Sequence, residues 1–178
     1  MIMNEIIKKN GITYGIALGL FSILVTTIAY SVDIKLFISF WTTFIKVAVF
    51  FTIMILLLSK TKKELMGIYS FKQAFTTYFI AALIGLLLAT IFEIILFNFI
   101  DPSLKDSIKE MSLDFTVNLM EKMGAPQSEI NKTILKIQET DQFSIGELLK
   151  GTVMYILFTC IPGLILAAIF KTKTSHNE

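Results

Sequence analysis

The longest apolar run of the chain, residues 73–99, constrains the fold more than any other feature. Glu93 is the single charged side chain within it. A helix over this range is long enough to cross the roughly 30 Å hydrocarbon core of a bilayer with some tilt. Ser70 and Gln73 form an S-x-x-Q capping box, which predicts a helix start, and Asp101-Pro102 stops the run. The run therefore predicts a transmembrane helix.

Three more apolar runs predict three further spans. Residues 11–30 carry no charge, residues 36–58 are interrupted only by Lys46, and residues 149–170 contain one charged residue near their start. The chain is 54% hydrophobic and 17% charged, against about 25% charged residues in a typical soluble domain. A secretory signal peptide is the alternative for residues 11–30, but its apolar core would exceed the usual length of about 7–15 residues.

The segment between the third and fourth runs, residues 101–146, is too polar to cross a membrane. Apolar side chains recur there at steps of three and four residues, which predicts an amphipathic helix. They are Leu104, Ile108, Met111, Phe115, Leu119 and Met123. The predicted fold is an all-α integral membrane protein, a four-transmembrane-helix bundle with an extramembrane amphipathic helical insertion between the third and fourth spans. We expect one membrane domain over residues 1–178.

Lysines near the spans indicate the orientation of the chain. They are concentrated in the head, in the second loop and in the tail, whereas the first loop holds Lys35 alone. By the positive-inside rule both termini are then cytoplasmic and the insertion is external. The tail includes Lys173 and the only histidine, His176, which we expect to be inert.

Small residues follow one face of the first and of the third predicted helix. At about 100° per residue, each set falls within an arc of roughly 80°. Such stripes let helices approach closely in lipid. The predicted helix-packing residues are Gly11, Gly15 and Gly19 on the first helix and Ala82, Gly85 and Ala89 on the third. Glu93 continues the second stripe, so its carboxylate is expected to face protein rather than lipid.

Lys46 and Glu93 are the charged side chains deep inside the apolar runs. Since a lone charge at the centre of a membrane helix costs roughly 2.5–3.5 kcal/mol, the two predict an intramembrane ion pair between the second and third helices. Such a pair either fixes the register of the helices or belongs to a proton or ion pathway. Pro162-Gly163 interrupts the fourth run and is either a tolerated kink or part of such a pathway.

Catalytic motifs are missing from the sequence, which lacks H-E-x-x-H, a Gly-rich phosphate loop and a Cys/His cluster. We therefore expect no enzyme activity, no cofactor and no metal site. A net charge of +2 gives no strongly basic surface for nucleic acid. The expected partners are the lipid bilayer and either another membrane protein or further copies of the chain.

Several short motifs together resemble a known family. A Gly-rich first helix follows a short Lys-bearing head, S-F-x-Q-A-F opens the third helix at residues 70–75, F-N-F-I-D-P closes it at residues 97–102, and Ser-x-Gly-Glu leads into the fourth at residues 144–147. The chain resembles the bacterial membrane proteins catalogued as domain of unknown function forty-one ninety-nine. This resemblance covers nearly the whole chain. It implies a protein of the bacterial inner membrane with four helices and no assigned activity.

Two functional classes remain open at this point. The favoured one is a non-enzymatic scaffold or accessory subunit of a cell-envelope complex, because the acidic insertion carries an adaptable apolar surface with Met111, Met120 and Met123. The alternative is a small proton- or ion-coupled transporter or channel subunit that uses Lys46 and Glu93.

Overall fold

The computed structural model describes residues 5–172, and throughout that range the chain forms helices and connecting turns without a strand. Lys173 and His176 lie outside the described residues. Four helices are long: α1 (Glu5–Val32), α2 (Phe40–Glu64), α3 (Phe71–Ile95) and α6 (Ile145–Phe170). Two shorter helices, α4 (Leu104–Lys122) and α5 (Gln127–Glu139), connect α3 to α6.

The four long helices correspond to the four predicted spans, and each is long and apolar enough to cross a membrane. Their ends differ from the predicted ones. α1 begins at Glu5, before the predicted start at residue 11. α2 begins at Phe40 rather than at residue 36, because Asp33 caps a short 3-10 turn at Ile34–Phe37 by accepting a hydrogen bond from the Lys35 amide at 2.9 Å.

The start of α3 confirms the predicted capping box. The Ser70 hydroxyl accepts a hydrogen bond from the Gln73 amide at 3.2 Å, and the Gln73 side chain accepts one from the Ser70 amide at 2.9 Å. At its other end, α3 passes into a π-helical segment, Leu96–Ile100, before the chain turns at Asp101. We call the end of the molecule where α1 begins and α6 ends the terminal end, and the opposite end the α4–α5 end.

α3 lies in the middle of the four long helices and packs most extensively against α1. Glycines on α1 make this possible, since a Cβ atom on Gly15 would lie 2.8 Å from Ile84 Cβ and 2.9 Å from the Ala81 carbonyl oxygen. Gly11 and Gly19 face Ile80 and Leu88 in the same way. Without Cβ atoms on this face of α1, the two backbones approach more closely than other residues would allow.

Two separate groups of buried side chains hold the helices together. The larger one occupies the terminal end and joins all four long helices; it comprises Leu18, Met54, Leu57, Leu58, Tyr69, Ala74, Tyr78, Ala81, Ala82, Leu166 and Ala167. The smaller one lies at the α4–α5 end around Leu96, Phe97, Leu104 and Ile108. The Phe97 and Phe143 rings pack against each other there, with their centroids 4.5 Å apart and their planes tilted by 37°. The helices are thus joined most firmly near the terminal end.

We expect replacement of Gly15 by alanine to lower the melting temperature of the purified protein. The new methyl group would overlap Ile84 and the Ala81 carbonyl, and overpacking of this kind costs typically about 1–3 kcal/mol. Gly151→Ala is the matched control, because a Cβ atom there meets nothing within 4 Å. Equal melting temperatures for the two variants would contradict the close approach of α1 to α3.

Tyr69, in the connection between α2 and α3, is fully buried and donates a hydrogen bond to the Thr77 hydroxyl at 2.7 Å. Burial disfavours the ionised phenolate and raises the pKa of Tyr69 from 10.0 to about 12, although the hydrogen bond to Thr77 acts in the opposite direction. The protonated phenol is therefore part of the folded state.

Raising the pH should consequently lower the free energy of unfolding, because the Tyr69 hydroxyl ionises less readily in the folded state than in the unfolded state. Because the folded pKa lies above the unfolded one, the stabilisation is complete below about pH 10 and is lost between about pH 10 and 12. In an ultraviolet titration of tyrosinate, the difference between wild type and Tyr69→Phe should show a step near pH 12. If this difference instead showed its step at pH 10, the Tyr69 hydroxyl would be exposed to water.

Candidate functional site

In the half of the molecule next to the α4–α5 end, α2 and α6 are less buried than at the terminal end. Every buried side chain of α2 lies in its second half, from Met54 onward, and every buried side chain of α6 lies from Thr159 onward. Residues 40–50 of α2 and 145–158 of α6 therefore contain no fully buried side chain, although α1 and α3 remain packed against each other. We call the space between these two segments, alongside α3, the α2–α6 cleft.

Lys46 and Glu93 both lie at this cleft and are both half-buried. Their charged groups are more than 4.0 Å apart, so the direct ion pair expected from the sequence is not formed. Lys46 still interacts electrostatically with Glu93 at longer range. Within residues 5–172, neither side chain has a hydrogen bond or a salt bridge.

A hydrogen bond between two threonines fastens α3 to α6 beside the cleft. The hydroxyls of Thr90 and Thr152 lie 2.7 Å apart. Since the Thr152 hydroxyl donates its one proton to the Leu148 carbonyl at 2.8 Å, Thr90 is the donor of the pair. Thr90 precedes Glu93 by three residues, which places the two side chains about 60° apart around α3. Polar side chains therefore extend along the cleft from Glu93 and Thr90 on α3 to Thr152 on α6.

The Pro162-Gly163 interruption lies at the closed end of the cleft, inside a helix that stays continuous. A Cβ atom on Gly163 would lie 2.4 Å from the Tyr78 ring, so the glycine makes room for this aromatic side chain. The Tyr78 hydroxyl donates a hydrogen bond to the Thr159 carbonyl at 2.9 Å. In this structure the interruption serves the packing of α3 against α6.

The small residues predicted on α3 have different surroundings. Ala82 and Gly85 are buried, and Gly85 lies against α1, where a Cβ atom would be 2.9 Å from Leu18 Cβ. Ala89 is half-buried. Glu93, at the end of this stripe, faces the cleft rather than α1. The stripe thus passes from the α1 contact to the cleft.

Sequence reasoning missed a polar cluster at the terminal end. Asn10 is 3% exposed, and its side-chain amide donates hydrogen bonds to the Thr61 hydroxyl at 3.1 Å and to the Glu64 carboxylate at 2.7 Å. These bonds tie α1 to α2. An asparagine before the first apolar run gave no periodic signal, so this contact could not be read from spacing.

The acidic side chains and Cys160 within residues 5–172 do not converge on a metal site, since no group of three or more could hold one ion. At the α2–α6 cleft, Glu93 supplies a carboxylate, Lys46 an ammonium group, and Thr90 and Thr152 two hydroxyls. This combination suits electrostatic binding or proton exchange.

Comparison with known proteins now adds one finding. A family model described as "Protein of unknown function (DUF4199)" matches residues 13–172. The chain belongs to this family. The DUF4199 match extends from α1 through α6 and includes Lys46 and Glu93, and it confirms the resemblance seen in the sequence. No curated protein and no solved structure matches the chain.

Replacing the two threonines of the cleft, singly and together, should measure the energy of the interaction between their hydroxyls. We expect Thr90→Val and Thr152→Val each to destabilise the purified protein. The double variant should lose less than the sum, by about 0.6 kcal/mol, the average found for interhelical hydrogen bonds in a membrane protein. Thermal or chemical unfolding in detergent measures these differences. Thr27→Val is the control, because its exposed hydroxyl bonds only within its own helix, to the Ile23 carbonyl. Additive losses would show that the hydroxyls do not interact.

Proposed function

We propose that the protein is integral to the bacterial inner membrane and serves as a non-enzymatic scaffold or accessory subunit of a cell-envelope complex. Membrane insertion is supported by four long apolar helices whose outward side chains are exposed, such as Leu20, Val153 and Phe158. The lysines of the terminal end support a cytoplasmic location for both termini, with α4 and α5 external.

The α2–α6 cleft is the observation that carries the scaffold proposal. A charged side chain at the centre of a membrane helix costs roughly 2.5–3.5 kcal/mol, and membrane proteins offset this cost by pairing. Lys46 and Glu93 have no such direct partner within residues 5–172. A transmembrane helix of another protein, with polar side chains at the same depth, would fill the cleft and pair with both.

The position of the cleft supports a helix as its occupant. Lys46 follows the start of α2 by six residues, or about 9 Å along the helix, and Glu93 lies close to the other end of the antiparallel α3. Both charges are thus near the α4–α5 end, where α2 and α6 bury no side chains. A partner helix could enter between α2 and α6 from the lipid without disturbing the core at the terminal end.

Site-specific photo-cross-linking in intact cells tests this proposal. A photoreactive phenylalanine analogue at Thr42, one turn from Lys46, should cross-link to one partner protein. The matched control is Val47, 43% exposed and about 140° further round α2. The Lys46→Met and Glu93→Gln changes should reduce the Thr42 adduct at least threefold. An adduct of twice the chain's mass would show that a second copy fills the cleft, and equal adducts at Thr42 and Val47 would contradict the proposal.

Proton- or ion-coupled transport is the second candidate, and the same cleft favours it. The cleft is open toward the α4–α5 end and closed toward the terminal end by Tyr78, Met54 and Leu57, as a pathway with access from one side would be. A decisive result would be loss of cellular function in Glu93→Gln with the Thr42 adduct unchanged. That outcome would favour transport over the scaffold role.

A further inference from the structure

A shallow cavity of about 440 Å³, largely open to the surface, lies at the terminal end between the last turns of α2 and α6. It is lined by Ser59, Lys62, Lys63, Gly67, Ile169 and Phe170. Its lining combines two ammonium groups and a hydroxyl from α2 with apolar side chains from α6. None of these lining residues is acidic. The cavity thus joins a positive region to an apolar one.

The turn that ends α2 gives this cavity a defined shape. The Met66 amide donates to the Lys63 carbonyl at 3.0 Å and the Gly67 amide to the Lys62 carbonyl at 2.9 Å, which is the Schellman pattern. Met66 and Gly67 both have positive φ angles, of 54° and 82°. The chain therefore turns back directly beside the two lysines.

Hydrogen bonds to Thr172 hold the end of α6 against this turn. The Thr172 amide donates to the Tyr69 carbonyl at 2.7 Å, and the Tyr69 amide donates to the Thr172 hydroxyl at 2.8 Å. The Thr172 hydroxyl in turn donates to the Gly67 carbonyl. These bonds keep Ile169 and Phe170 opposite the lysines, so both sides of the cavity are fixed to each other.

The two lysines of the cavity are available to bind an anion. Lys60, one turn away, already lies 3.9 Å from the Glu64 carboxylate and 5.7 Å from the centre of the Tyr14 ring. The ammonium groups of Lys62 and Lys63, by contrast, have no salt bridge and no hydrogen bond with any residue from 5 to 172. Their positive charge is therefore not neutralised by the described part of the chain.

An exposed apolar surface continues from the cavity toward the middle of the helices. On α2, Ile55 precedes Ser59 by one turn and is 44% exposed. On α6, Ile165 precedes Ile169 by one turn, and the two are 57% and 67% exposed. A ligand with an anionic head and a hydrocarbon chain matches this arrangement, with its head in the lysine-lined cavity and its chain along the exposed isoleucines.

We propose that this cavity binds the phosphodiester headgroup of an anionic glycerophospholipid, with an acyl chain along Ile55 and Ile165. The phosphate accepts hydrogen bonds from Lys62, Lys63 and the Ser59 hydroxyl. The volume lies within the range of about 300–1,000 Å³ typical of small-molecule sites. This proposal rests on the membrane insertion proposed above but not on a partner helix in the α2–α6 cleft.

Lipid titration of the full-length protein in detergent, followed by native mass spectrometry, tests the proposal. Phosphatidylglycerol should bind wild type more tightly than phosphatidylcholine does. Since each lysine near an anionic lipid contributes about 1 kcal/mol, Lys62→Gln with Lys63→Gln should weaken phosphatidylglycerol binding by about 30-fold. The control, Lys8→Gln with Lys9→Gln, removes the same charge from exposed positions of α1 and should change binding less than threefold.

Three results would overturn the proposal. Equal weakening by both pairs of substitutions would show only general attraction to a positive surface. Equal binding of phosphatidylcholine would show that the lysines do not select an anion. Binding of inorganic phosphate with the same affinity as phosphatidylglycerol would make the ligand a soluble anion. Failure of the protein to enter detergent micelles or bilayers would instead contradict the membrane insertion itself.

Discussion

The close approach of α1 to α3 is the contact on which the rest of the structure depends. Within the membrane proposed for this protein, apolar side chains gain little by leaving lipid, so helices associate mainly where their backbones can approach closely. Gly11, Gly15 and Gly19 provide such a surface along α1. Around this central pair, α2 and α6 bury their side chains mainly at the terminal end.

The helices and their caps could be predicted from the sequence, because they depend on local patterns. Apolar length predicted the four long helices, and the S-x-x-Q motif at Ser70 predicted the start of α3 within one residue. The start of α2 was misplaced because Asp33 stabilises a competing 3-10 turn. The pattern of apolar residues in the sequence does not reveal such a turn.

The arrangement of the candidate site could be predicted only in part. The sequence identified Lys46 and Glu93 as unusual, since charge inside an apolar run is visible without a structure. Whether they meet depends on how α2 packs against α3, and this involves tertiary contacts such as those of Met54 and Leu57 in the larger core. The contacts of Asn10, Tyr78 and Thr172 join residues far apart in the chain and have no signature in the sequence.

The fully buried side chains of α2 lie near one end of the helix. Met54 is the first of them, and Phe40 stands fourteen residues before it, about 21 Å along the helix axis. At the other end, Phe37 and Ile38, just before α2, pack against the smaller cluster around Phe97. The width of the α2–α6 cleft therefore depends on two separate contacts, one at each end of α2.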